Sequence, residues 1–315
     1  MLSRTADHLY WMARYIERAE NMARVLDVTY RMSLVSHAGE SEATLWQPPV
    51  LIADDVAAFE RDYGDYNAAN VMHYMALDTR NPSSIVSCLG SARENARSVR
   101  VAMSSEMWET VNALWLELTQ RLQPGLNEAD IGEFCDWVKS RSHLFRGVTY
   151  GTMLRDDGYK FLRLGTFIER ADNTARLLDA KYHLLMAAAG DLNGPVDYYE
   201  WSSLLRSVSS FEAYQKVFRD TILPSKVAEL LVLRDDMPRS LHACFDELTP
   251  ILEQICTQRG RECLRIAGET HARLHFGRMD DIFKEGLHEF LQDFIALNNR
   301  LGREIQISFL NAPAH

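Results

Sequence analysis

Two stretches of the chain carry the same polar residues at the same spacing. Glu17, Arg18, Asn21 and Arg24 stand in the first, and Glu169, Arg170, Asn173 and Arg176 in the second. On a helix advancing about 100° per residue, positions i, i+4 and i+7 fall on one narrow stripe, so Glu, Asn and the later Arg line up with the earlier Arg beside them. Such residues support two kinds of chemistry. As a pocket, the guanidinium groups would fork onto a ligand carboxylate while the Glu takes an ammonium group or a proton. As a packing device, the stripe would be a buried ion-pair and amide network where two halves of the protein meet, with one Glu bridging Asn and Arg. On the packing reading, Glu17→Ala or Arg24→Ala costs about 3–5 kcal/mol, and Glu169 and Arg176 a similar amount.

Other candidate sites are thinner. Arg93, Glu94, Asn95 and Arg97 repeat these residue types once more, followed by Arg100, and the matching stretch of the second half, Phe245 to Glu253, does not keep them. A solvated helix face explains them better than a site that belongs to one half only. His271 and His275 are four apart, the spacing of two ligands on one helix face, but no HExxH and no paired Glu-x-x-His accompanies them, so no metal is expected. GxxxxGK[ST], GxGxxG and GxSxG do not occur. The expectation is a chain with no cofactor, no nucleotide site of its own and no nucleophile elbow.

The elements that position these residues are helical. Leu9, Met12, Ile16, Ala19, Ala23, Leu26 and Tyr30 step by threes and fours, and Phe161, Leu164, Ile168, Ala171, Ala175, Leu178 and Tyr182 repeat those steps. Breakers at 78–82, 123–125 and 234–238 divide an all-α bundle of about ten or more helices, including one expected over 279–309. Residues 37–50 and 190–196 read as loops, and Asn127 reads as an N-cap. The bundle is internally duplicated. Ile16–Tyr30 and Ile168–Tyr182 agree at ten of fifteen positions. Asn81-Pro82-Ser83-Ser84-Ile85, leading to Cys88, is echoed by Met237-Pro238-Arg239-Ser240-Leu241, leading to Cys244. The expected organisation is one all-α domain over 1–315, with repeat halves at about 1–125 and 155–265 about a pseudo-twofold and C-terminal helices at 266–315.

Composition bounds the partners. The 315 residues are 47% hydrophobic and 25% charged, with a net charge of −10. That sign argues against non-specific nucleic-acid or anionic-membrane binding. The opening Met-Leu-Ser-Arg-Thr-Ala-Asp-His has no apolar leader core, and nothing nears the roughly 18 apolar residues of a membrane span. The five cysteines are widely spaced, without CxxC. They are expected as buried thiols of a cytoplasmic protein.

Taken in order, several stretches resemble the bacterial alpha-E family, an all-helical domain named for a Glu-Arg motif. They are MLSRTADHLYWMARYIERAENMAR at the start, NPSSI at 81–85, ARENAR at 92–97, SSEMWETVN at 104–112, FRGVTYGTMLRD at 145–156, FLRLGTFIERADNTARLLD at 161–179, MPRSL at 237–241 and DDIFKEGLHEFL at 280–291. Met12-Ala13 departs from the Leu-Gly expected there, which Leu164-Gly165 retains. The resemblance implies a setting beside, or fused to, a circularly permuted ATP-grasp protein. Such enzymes activate a carboxylate with ATP and join it to an amine. The implied role is a helical accessory or partner in peptide-like amide formation. The alternative is an enzyme acting on a small peptide or amino-acid conjugate through the paired Glu, Arg and Asn clusters.

Overall fold

The computed structural model describes residues 2–34, 41–53, 55–123, 125–188, 195–256 and 258–310. Every regular element among them is helical, as the periodicity requires. Fifteen α-helices run in order: α1 (Ser3–Ser33), α2 (Glu42–Ala53), α3 (Val56–Asp62), α4 (Ala68–Met72), α5 (Ile85–Ser98), α6 (Ser105–Leu122), α7 (Ile131–Thr152), α8 (Asp157–Ala188), α9 (Pro195–Ser207), α10 (Phe211–Phe218), α11 (Pro224–Val232), α12 (Leu241–Ile255), α13 (Arg261–His275), α14 (Met279–Glu285) and α15 (Leu287–Ile305). They form two compact units, one over His8–Gly165 and one over Thr166–His315 with Leu2–Asp7.

In the first unit α5, α6 and α7 pack in sequence, and α2 packs on α3 and α4. One core gathers Leu26, Trp46, Phe59, Met75, Leu114 and Phe134, and a second gathers Leu9, Met12, Ile16, Met107, Phe145 and Leu162. In the second unit α12, α13 and α15 pack in sequence, and α11 contacts α9, α10, α12 and α14. Its interior includes Trp201, Leu230, Leu241, Leu248 and Phe290, with Phe245 edge-on to Phe294 at 5.5 Å. α13 and α15 thus follow α12 in packing order as α6 and α7 follow α5.

Three expected boundaries differ. Residues 42–50 are helical in α2 despite Pro48 and Pro49 inside it. An interior proline costs about 3 kcal/mol, but Trp46, Val50 and Ile52 are buried, each worth roughly 1.5–3 kcal/mol. Residues 37–40 and 190–194 lie outside the described residues, and 195–196, expected as loop, open α9. The helix expected over 279–309 breaks at Gly286, whose φ of +106° is closed to other residues. Asn127 precedes a short 3₁₀ turn, but its amide donates to Asp130 at 3.3 Å and makes no side-chain cap.

The second repeated motif is a turn that starts a helix. Ser84 N–H donates to Asn81 O at 3.1 Å, and Ser240 N–H to Met237 O at 2.9 Å, with proline second in each turn. Each serine then caps its helix, Ser84 Oγ accepting from Ser87 N and Ser240 Oγ from Ala243 N. Cys88 and Cys244 follow one turn later, both buried, and all five cysteines are thiols.

The first of these joints also carries a pH-dependent contribution to stability. Asp78 is 5% exposed. Arg80 forks onto it at 2.8 and 3.1 Å, the Arg80 backbone N–H donates at 2.8 Å, and Tyr63 donates at 2.7 Å. The Arg80 guanidinium, above all, lowers the carboxyl to about 2. An unfolded aspartate titrates near 3.9, so this stabilisation is complete above about pH 5 and lost as pH falls through about 2. Arg80 is largely exposed, so solvent screening keeps the gain small. Urea midpoints of wild type and Asp78→Asn should converge between about pH 5 and 2; parallel pH profiles would refute this.

Candidate functional site

The repeated helix α1 is buried on both sides. Its apolar stripe lies in the two cores, and Glu17, Glu20, Asn21, Arg24 and Asp27 on the other faces are buried too. The centre of the polar side is Glu20, with no exposed side-chain surface. Arg24 donates to one Glu20 oxygen from Nε at 2.9 Å and from Nη2 at 2.7 Å. Ser142 donates to the other at 2.6 Å, joined there by Arg146, which also reaches Glu17 at 3.0 Å. Arg24 Nη2 lies 3.2 Å from His143 Nε2. One turn on, Asp27 takes Lys139 at 2.7 Å and Arg31 at 2.8 Å. Ser142, His143, Arg146 and Lys139 all belong to α7, so the acids of α1 hold α7 in place.

The second unit follows the same plan with different residues. Asp172 occupies the position of Glu20 and accepts from Arg176 at 2.7 Å, four residues on. Asp179 occupies the position of Asp27 and is held from α15, by His288 at 2.6 Å and Gln292 at 2.7 Å. Asn298 of α15 donates to Ile168 O at 3.1 Å. The repeated helix also meets the turn motif in each unit. Arg18 donates to Ser83 at 3.3 Å, and Thr174 to the Arg239 carbonyl at 2.9 Å.

In α1 the expected Glu17, Asn21 and Arg24 are buried, and the acid that Arg24 forks onto is Glu20, one turn back. Glu169 and Arg170 are buried, with Arg170 over the Phe167 ring at 5.2 Å, and Asn173 is half-buried. Glu20, Ser142, Arg146 and Lys139 were not legible as partners. The available signal was acid retained at 20 and 172 as Glu and then Asp, together with identity at 27 and 179.

The second cluster lies on the surface. Glu94 is exposed between Arg93 at 2.8 Å and Arg97 at 2.7 Å, and Asn95 bonds His8 at 2.7 Å. A recess of 170 Å³ in the first unit, lined by Met72, His73, Leu77, Leu126 and Ile131 among others, includes none of these polar residues. His271 and His275 share one face of α13 and meet His242 of α12.

A helical protein whose duplicated long helix carries a buried Glu–Arg network is thus the class that fold and site define. The chain belongs to the Alpha-E family, described as a predicted alpha-helical domain with a conserved ER motif, whose sequence model matches residues 1–310. That dipeptide stands in both repeated helices, at Glu17-Arg18 and Glu169-Arg170. The chain is also similar to an uncharacterised protein of Mycobacterium bovis and to uncharacterised proteins of two Mycobacterium tuberculosis strains. Each is 24% identical over 313 residues, which is 93% of this chain and 35% of the relative. The chain therefore spans about a third of the length of the curated relatives it matches. No solved structure matches it. Among the described residues, no helix is long and apolar enough to cross a membrane.

Proposed function

We propose that this chain is a non-catalytic helical module of a cytoplasmic amide-ligase system, working on or beside a circularly permuted ATP-grasp protein that supplies the nucleotide chemistry. The observation that carries this reading is the saturation of Glu20. Both its oxygens are taken by Arg24, Ser142 and Arg146, which commits the carboxylate to joining α1 and α7. A general base needs an oxygen within reach of a substrate proton. The length of the mycobacterial relatives adds support, since a matching region that is 35% of a chain suits a module that acts beside others. The ATP-grasp setting comes from the family resemblance.

The test is co-expression with a circularly permuted ATP-grasp protein from the same genome, followed by size-exclusion chromatography and ATPase assays with and without this chain. A complex with a changed ATPase rate is expected. Two separate peaks and an unchanged rate would end the reading.

A further inference from the structure

The second unit gathers three histidines and a carboxylate that the Glu–Arg network does not use. His242 lies in the first turn of α12, with Asp246 one turn later, and His271 and His275 lie one turn apart on α13. One nitrogen from each histidine lies within 4.8 Å of the others. His242 Nε2 is 3.2 Å from His275 Nδ1 and 3.5 Å from an Asp246 oxygen, and His271 Nε2 is 2.7 Å from that oxygen. The set grades outward. His242 is 6% exposed, His271 is half-buried and His275 is open to solvent.

We propose that His242, His271, His275 and Asp246 bind a divalent first-row transition-metal ion, with Zn²⁺ the best fit. Imidazole nitrogens with one carboxylate oxygen suit zinc, whereas Mg²⁺ and Ca²⁺ take oxygen ligands. His242 is already oriented as a ligand. Its Nδ1 lies 2.8 Å from the Leu233 carbonyl, an acceptor, so this nitrogen carries the proton and Nε2 presents its lone pair. Without metal, that lone pair accepts from His275 Nδ1–H, and His271 Nε2–H donates to Asp246. Binding shifts each of these two protons to the other nitrogen of its own ring, so neutral imidazoles ligate without proton release. Bonds of about 2.0–2.1 Å in a tetrahedron set ligand separations of about 3.4 Å. His242–His275 is close to that already, and the remaining adjustment falls on His271, Asp246 and His275, all more exposed than His242. The i, i+4 pair on α13 supplies half the site. His242 and Asp246, also four apart, supply the other half across the α12–α13 contact.

The test uses the full chain without a histidine tag, stripped with chelator. Titration calorimetry with Zn²⁺ should give one ion per chain, Co²⁺ should give visible ligand-field bands, and Mg²⁺ should give no heat. His271→Ala and His275→Ala, both on the open side, should each weaken Zn²⁺ binding about tenfold or more with helicity unchanged by circular dichroism. The double variant should lose the Co²⁺ bands. No stoichiometric uptake by the wild type, or uptake that both variants leave unchanged, would overturn the proposal.

Discussion

Glu20→Ala should lower the unfolding free energy by about 3–5 kcal/mol, a large part of a typical domain's stability. The carboxylate has no exposed surface, and its loss leaves Arg24, only 9% exposed, as a buried charge without its fork partner. Arg146 is 27% exposed and turns partly to water, so the cost centres on Arg24 and Ser142. Arg24→Ala should cost a similar amount, because it leaves the acid short of two donors. The second copy is expected to differ. Asp172 and Arg176 are 17% and 21% exposed, and a pair closer to water is worth less, so Arg176→Ala should cost about 1–2 kcal/mol. Equal penalties for the two copies, which their sequence identity alone implies, are therefore not expected. Urea denaturation of the three single variants measures the difference. A Glu20→Ala protein as stable as wild type would mean that the network is held against the fold's preference, as binding groups are.

Gly165→Ala should destabilise the protein by about 3 kcal/mol, although alanine is the better helix former by about 1 kcal/mol. A methyl group there would lie 2.3 Å from the Tyr10 carbonyl oxygen and 3.3 Å from the Ala13 methyl. The first is backbone inside α1, so relief requires α1 and the start of α8 to move apart. Gly147→Ala is the control. It sits within α7 with nothing within 4 Å of the added methyl, and should be stabilising by about 0.5–1 kcal/mol. Equal melting temperatures for the two variants would show that the close approach tolerates a side chain. The same contact explains the departure at Met12-Ala13. Where equivalent residues of the two copies meet, one glycine is enough, and the Ala13 methyl fills the space that Gly165 leaves.

What the sequence determined by itself was local and periodic. Threes and fours over Leu9–Tyr30 and Phe161–Tyr182 place apolar residues on one face of a long helix, and burial follows from that alone. Pro82-Ser83-Ser84 and Pro238-Arg239-Ser240 dictate a turn and then a cap, because proline fixes one torsion and serine accepts from the next turn. Ten identities in fifteen positions, at a separation of 152 residues, mark the Glu–Arg stripe as the feature to follow.

Only the tertiary structure decided what the stripe touches. A helical wheel gives the direction of Glu17, Glu20 and Arg24, but not which helix lies opposite. Arg146 and Ser142 stand more than a hundred residues from Glu20, at a separation where pairing is set by how α7 crosses α1. Only half of the histidine cluster was legible, for the same reason. His271 and His275 advertise half a site by their spacing on α13. His242 and Asp246 complete it from α12, across a loop and a helix–helix contact that apolar burial decides and that no spacing within one helix encodes.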